Sequence, residues 1–404
     1  MVLRKRWIAA ALLLVVVNIV YWQDPWLWRN YVRFYFAGSP TAEERLTPDE
    51  EIRGDGSFVI PAAAPAARSI SAAALKRMTD YAAKYGSHAL IVVQHGQLQL
   101  EWYAPHWERS RMTQSQSMHK TLIGLLVGVA IDEGRIGSVQ EPISKYITEW
   151  RDDPRGAITI EQLLTMSSGL SQGGFSRNPL SPGMRWLNSG HSLEPLLSMP
   201  LVKPPGTLYE YRDINTELLG VILARAWGQR YSTILRDKLW QPMGGERARV
   251  HTDSPGGRAY TSCCLGAPAM DWARIGLVLL GKGEANGRRI VSAGWIEQMT
   301  RPSRTSRRYG YQTWLGYDDP MLPPTGGGST GGIATEPFLA RDTFFLVGRG
   351  QQHVFVTPSL ELVIVRIGPA LGRKPIERGF DLSVLVNTAI RGMKAPATAD
   401  RPMR

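Results

Sequence analysis

Ser117 and Lys120 stand three residues apart in SQSMHKTLIGLLVG, where the chain turns almost wholly apolar. In the first turn of a helix, residues three apart share a face, so a hydroxyl and an amine there fall within hydrogen-bond reach. The helix end adds backbone N–H groups and the positive end of its dipole, both suited to the negative charge of an acyl-transfer intermediate. The apolar residues that follow predict a buried helix with Lys120 at the edge of a dry core. Apolar surroundings disfavour an ammonium, so the expectation is a lowered pKa, an amine that accepts a proton near neutral pH, and an activated serine. Spacing alone also admits a serine cap followed by a snorkelling lysine, because about one Ser-x-x-Lys match is expected by chance in a chain this long.

Ser171 competes as nucleophile, since GLSQG matches the Gly-x-Ser-x-Gly elbow, which needs a strand before the serine and a helix after it. TIEQLLTMSS before it reads instead as a helix with Thr159 as N-cap and Gln162 three residues on. GFSRNPLSPG after it reads as loop, which favours Ser117. His119 reads as a helix-packing residue, with acid–base chemistry as the alternative. Trp186 in GMRWLNSGHS is either a pocket wall or a packing side chain. The seven histidines show no paired ligand spacing, so neither a metal nor an organic cofactor is expected.

Several elements must position these residues. SAAALKRMTDYAAKYG reads as a helix from Ser71 to Gly86, and ALIVVQ with QLQLEWYA as two strands joined at His95 and Gly96. TFFLVGRGQQHVFVTP and LELVIVRIG read as further strands, closed by the helical RGFDLSVLVNTAIRGM. Helical patterns dominate between them. The fold class is therefore α/β of the α+β type: an antiparallel sheet built from both ends of the domain, flanked by terminal helices, with an inserted helical subdomain. The domain spans 71–395, its sheet part about 71–115 and 300–395 and its helical part about 116–299, followed by a tail at 396–404. TGGGSTGG at Thr325 lacks the lysine and spacing of a phosphate loop.

The N-terminus points to a membrane. RKR at Arg4–Arg6 precedes an apolar run from Trp7 to Trp22, followed by the Trp, Tyr, Phe and Arg mixture of an interfacial segment. Residues 1–36 are expected to be an uncleaved anchor in a bacterial inner membrane with the bulk of the chain in the periplasm; a cleaved signal peptide and secretion is the alternative. Residues 37–70 read as a linker or draped segment. The net charge of +12 suits lipid headgroups or cell-wall polymers, while no aromatic-basic motif points to nucleic acid. The basic run RPSRTSRRYG reads as a solvated loop. Cys263 and Cys264 are adjacent, which offers no ordinary staple, and they read as two small half-buried side chains.

The stretch SQSMHKTLIGLLVGVAIDEGRIGSVQEPISKYI, followed by ITIEQLLTMSSGL, resembles the serine β-lactamase and penicillin-recognising superfamily. The likeness is strongest to its class C branch, which includes DD-peptidases, family VIII esterases and 6-aminohexanoate-dimer hydrolases. It continues through PLVKPPGTLYEYRDINTELLGVILARAWGQ, AMDWARIGLVLLGKGEANGRRIVSAGWIEQM and VGRGQQHVFVTPSLELVIVRIG. The resemblance implies Ser117 as nucleophile, Lys120 as base and Tyr211 as the Tyr-x-Asn tyrosine that relays a proton, with Tyr209 as an out-of-register rival. The Asn of that motif is Asp213, so an amide donor becomes an acceptor in the substrate site, and Asn215 is a substitute if the turn is distorted. The Lys-Thr-Gly motif falls on Gly348-Arg349-Gly350. The lysine is lost; Arg349 offers a positive charge at a different position and with a planar fork, Gly350 permits close substrate approach, and the Gln351 N–H pairs with that of Ser117 as an oxyanion hole. The implied function is a serine hydrolase that cleaves a small amide or ester through an acyl-enzyme. A β-lactamase or DD-peptidase, and a non-catalytic cell-wall or partner-binding module, are the alternatives; oligomeric state is not legible.

Overall fold

The computed structural model describes residues 22–36, 48–105, 107–174, 176–316, 334–368 and 380–394. The elements that position the site are, in chain order, helices α1 (Pro25–Phe36) and α2 (Ala72–Lys84), strands β1 (Ala89–Gln94) and β2 (Gln97–Tyr103), and helices α3 (His119–Asp132), α4 (Asp213–Trp227) and α5 (Ala269–Leu280). Strands β3 (Trp314–Leu315), β4 (Phe344–Gly348), β5 (Gln352–Thr357) and β6 (Leu362–Ile367) and helix α6 (Leu382–Arg391) complete them.

The six strands form one sheet in the order β2-β1-β6-β5-β4-β3, every neighbouring pair antiparallel. β1 pairs with β6 from Ala89 opposite Ile367 to Gln94 opposite Leu362, which joins the two ends of the domain. Both faces of these central strands are covered, so they read as continuous apolar runs rather than alternating ones. On one face α2 and α6 contribute Leu75, Met78 and Leu385 to a cluster with Phe345, Phe355 and Ile364. On the other face α5 packs against β1, β5 and β6 and shares a larger core with the helical subdomain. The expected caps are present: the Ser71 hydroxyl accepts from the Ala74 N–H, and Thr159 and Gln162 form a reciprocal capping box.

Three expectations change. A second sheet draws on the regions read as linker, helical part and first sheet part, in the order Asp49–Arg53, Arg247–His251, Leu265–Ala267, Thr113–Gln114. Ile52, Ile60 and Ile70 are buried, so residues 48–70 are draped onto the domain rather than spacing it from another. The interfacial segment also docks on the domain. Asp24 accepts from the Gly190 N–H at 3.1 Å and from the Ser189 hydroxyl, and Asn30 donates to the Asn188 carbonyl at 3.0 Å. Apart from Trp22, the proposed membrane span lies outside the described residues, as do the Thr325 glycine run and the 396–404 tail. Among the described residues no helix is long and apolar enough to cross a membrane.

Candidate active site

Thr113–Gln114 pairs with Leu265–Ala267, and Ser115 extends the match: its N–H donates to the Leu265 carbonyl at 2.7 Å, and its hydroxyl accepts from the Leu265 N–H at 3.3 Å. Gln116, in the left-handed region at φ 50°, then throws the chain into the single turn Gln116–Met118 that runs into α3. Such a conformation is uncommon for a residue other than glycine and is maintained by the packing around it. Ser117 sits half-buried at this junction, whereas every residue from His119 to Ala130 is buried. The apolar helix thus carries Lys120 to the edge of the core, with its side chain only 2% exposed.

Lys120 has three N–H groups and three partners: Ser117 Oγ at 3.0 Å, the Ser262 carbonyl at 2.6 Å and Asp213 Oδ1 at 2.7 Å. The Tyr211 side chain lies beside Ser117 and Lys120: its ring centroid is 5.2 Å from Lys120 Nζ, and both residues act to lower its pKa. The expectation of a lowered lysine pKa is corrected here. Burial does push the ammonium down, but Asp213, Tyr211 and Glu217 together outweigh it and raise the pKa above the ordinary lysine value. The local sequence shows only apolar neighbours, and Asp213, from a distant helix, supplies the charge that reverses the shift. Burial also raises the Tyr211 phenol, tempered by the Lys120 charge, so at neutral pH Tyr211 is a hydroxyl able to donate.

α4 begins at Asp213 and brings it beside Lys120. Gln172 braces it twice, accepting from the Asp213 N–H at 2.7 Å and donating to Oδ2 at 3.3 Å. The residue assigned to substrate contact is therefore engaged by Lys120 and Gln172. Trp186 is buried and donates to the Gln172 carbonyl at 3.2 Å, which makes it packing behind Gln172 rather than an open pocket wall. Asn215 is buried and donates to the Arg212 carbonyl at 3.1 Å; α4 is regular there, so it does not replace the missing asparagine. The Tyr209 hydroxyl has no hydrogen-bond partner among the described residues, which separates it from Tyr211. Ser171 lies in a loop whose hydroxyl accepts from the Gly173 N–H at 3.1 Å, the wrong setting for a nucleophile elbow.

The Gly348–Gln351 segment forms the tip of the β4–β5 hairpin, with Gly350 and Gln351 both at positive φ. Arg349 is exposed. Gly348 packs against the serine turn, where an added Cβ would stand 2.2 Å from the Ser115 carbonyl oxygen. Gly350 and Gln351 present their carbonyls to the buried Arg366, at 3.1 and 2.6 Å. A polar cleft of about 550 Å³ bordered by Arg301, Arg304, Glu161 and Tyr311 opens elsewhere and includes none of Ser117, Lys120 and Tyr211.

The sequence reading missed Gln172, Glu217, Ser262 and Arg366. Glu217 lies one turn after Asp213 and Arg366 interrupts an apolar strand, so both left a signal; the Ser262 carbonyl left none. The cysteines also differ from expectation. Cys263 and Cys264 form a disulfide with each other, accommodated by a left-handed Cys264 at φ 72°. The Cys263 carbonyl lies 2.6 Å from His119 Nδ1, which therefore carries the proton, while Nε2 accepts from the Tyr231 hydroxyl at 2.6 Å. Burial lowers the His119 pKa to about 4, so it is a neutral packing residue at neutral pH.

The sheet, the helical insert and the Ser-Lys-Tyr cluster together define a chain of the penicillin-recognising serine hydrolase class. It belongs to the Beta-lactamase family, whose model matches residues 75–368. It is 27% identical over 221 residues to the 6-aminohexanoate-dimer hydrolase of Paenarthrobacter ureafaciens, covering 52% of this chain and 56% of that protein, so the match spans little more than half of that relative. It is 28% identical over 121 residues to an Escherichia coli K12 protein named as a candidate D-alanyl-D-alanine carboxypeptidase, covering 28% of each chain. Among solved structures, a candidate 6-aminohexanoate-dimer hydrolase from Bacillus anthracis superposes with a TM-score of 0.67 at 20% identity, covering 91% of this chain and 94% of that one. A penicillin-binding protein homologue from Caulobacter crescentus gives 0.59 at 16% identity, covering 80% and 99%. These structural likenesses establish the fold, and the family makes the chain a Beta-lactamase-family hydrolase.

Proposed function

We propose that the chain cleaves an ester or amide through a covalent acyl-enzyme on Ser117. The observation that carries this reading is the Lys120 amine 3.0 Å from Ser117 Oγ, with the Tyr211 ring centroid 5.2 Å from the same amine. Lys120 rests as an ammonium beside Asp213, 2.7 Å away; in the fraction that has lost that proton to solvent, the free amine takes the Ser117 proton as Oγ bonds to the acyl carbon. The carbonyl electron pair moves onto oxygen, where the N–H groups of Ser117 and, in this reading, Gln351 receive it. Tyr211 gives its proton to the departing amine or alkoxide and is refilled from Lys120, which is left again as the free amine. Water then releases the acyl chain through the same groups.

Gly348 stands where β-lactam-recognising members have lysine, and the exposed Arg349 lies one position further on, which supports an ester or amide over a β-lactam. The name of the Paenarthrobacter relative supports an amide. Labelling with a fluorophosphonate, followed by peptide mass spectrometry, tests the nucleophile: the adduct is expected on Ser117 and absent in Ser117→Ala. Short-chain nitrophenyl esters should turn over faster than a chromogenic cephalosporin. An adduct elsewhere, or no adduct on folded protein, rejects the mechanism; efficient cephalosporin hydrolysis rejects the substrate class.

A further inference from the structure

Glu217 is fully buried, carries a charge, and takes no part in the proton transfers above. It lies on the α4 seam that also holds Asp213 one turn before and Gly220 three residues after. A Cβ on Gly220 would stand 2.4 Å from Thr261 Oγ1, so the segment from Thr261 to Cys264 lies directly on this seam. One Glu217 oxygen accepts the N–H groups of Thr261 and Ser262 at 3.1 and 2.9 Å. The other pairs with Arg258. Arg258 is held in turn by the Ser192 hydroxyl at 2.9 Å and, through its backbone N–H, by Asp253 at 2.9 Å.

The residue that gives its N–H to Glu217 presents its carbonyl to Lys120 Nζ at 2.6 Å. The next carbonyl, that of Cys263, is tied to His119, Lys120's neighbour on α3. We infer that Glu217 is a positioning residue for Lys120: by gathering the Thr261 and Ser262 N–H groups it aims the Ser262 carbonyl, and so fixes one of the three hydrogen bonds that direct the amine at Ser117. The inference rests on the reading of Ser117 and Lys120 as the reacting pair.

A buried carboxylate is costly to desolvate, and an apolar residue of similar volume would often serve stability as well or better. Here Arg258 and the Ser262 N–H overcome the effect of burial and hold the Glu217 pKa below the usual carboxylate range. Lys120 faces Asp213, Tyr211 and Glu217, with neutral His119 beside it, and the Glu217 charge contributes to retaining its proton.

The test uses the full chain with Glu217→Gln and Glu217→Asp, reading Ser117 labelling by fluorophosphonate and the pH profile of kcat/KM on a nitrophenyl ester. Glu217→Gln should lower kcat/KM about tenfold with little change in KM, and should move the ascending limb to lower pH. Glu217→Asp keeps the charge but shortens its reach, so the limb should stay in place while kcat falls. Circular dichroism and a cooperative melt establish that each variant is folded. Losses that only follow the folded fraction, with an unmoved limb in Glu217→Gln, or wild-type kcat in a folded Glu217→Asp, overturn the inference. A wild-type chain that takes no adduct on Ser117 overturns the underlying reading and this inference together; a reactive wild type beside unaffected variants overturns this one alone.

Discussion

Two regions meet near Ser117 and are held in opposite ways. Around Lys120, side chains do the fixing: Ser117 and Asp213 converge on one amine beside the Tyr211 ring, and a single backbone carbonyl completes the set. At the β4–β5 hairpin the backbone is what is fixed, and a buried cation fixes it. Arg366 donates to the carbonyls of Gly350, Gln351 and Tyr85 and to the Ser87 hydroxyl, and stacks 4.5 Å over the Phe380 ring. Of the two arginines, the exposed Arg349 is the one legible in the sequence as a substrate contact, whereas Arg366 is buried within an apolar strand. Charge is placed where a side chain reacts, and shape where the backbone is to bind.

The largest effect should come from the first region. Lys120→Met removes the ammonium that orders Ser117 and should lower kcat on a nitrophenyl ester about 10³-fold or more, with KM little changed. Near-wild-type turnover in that variant would make Lys120 structural. In the second region, Arg366→Met withdraws the donors from four acceptors and should destabilise the fold by about 3 kcal/mol in urea denaturation. A change below about 1 kcal/mol would mean that other contacts hold the hairpin.

The same contrast explains what was legible in the sequence. The sheet, its hairpin at His95 and Gly96, and the caps at Ser71 and Thr159 are written in local periodicity and turn chemistry, and the structure repeats them. The nearness of Ser117 and Lys120 follows from helical spacing. The state of Lys120 does not, because Asp213 lies 93 residues further along the chain and its approach depends on how α4 packs against α3. The second sheet was missed because Leu265–Ala267 and Thr113–Gln114 are too short to show a period of two. Ser262 acts through its carbonyl, and any residue could supply one.

Asp213→Asn restores the family's amide and removes the carboxylate beside Lys120. In the wild-type chain Lys120 keeps its proton above the usual lysine range, so base-dependent acylation should rise with pH as that ammonium becomes easier to discharge. Without the carboxylate, burial again dominates and lowers the lysine pKa, so the ascending limb of kcat/KM should move to lower pH by about one unit or more. A limb that stays in place would show that Asp213 does not govern the amine.

Arg349 should matter least. Its guanidinium is exposed at the hairpin tip, where water and salt screen a charge to about 1 kcal/mol or less. Arg349→Ala should therefore change kcat/KM for a neutral nitrophenyl ester by less than about twofold, while Arg366→Met disturbs every substrate through the backbone. A matched ester bearing a distal carboxylate sharpens the distinction. If Arg349→Ala lowers kcat/KM for that ester more than about fivefold and leaves the neutral one unchanged, then the hairpin binds by side-chain charge as well as by shape, and the division between the two regions fails at its tip.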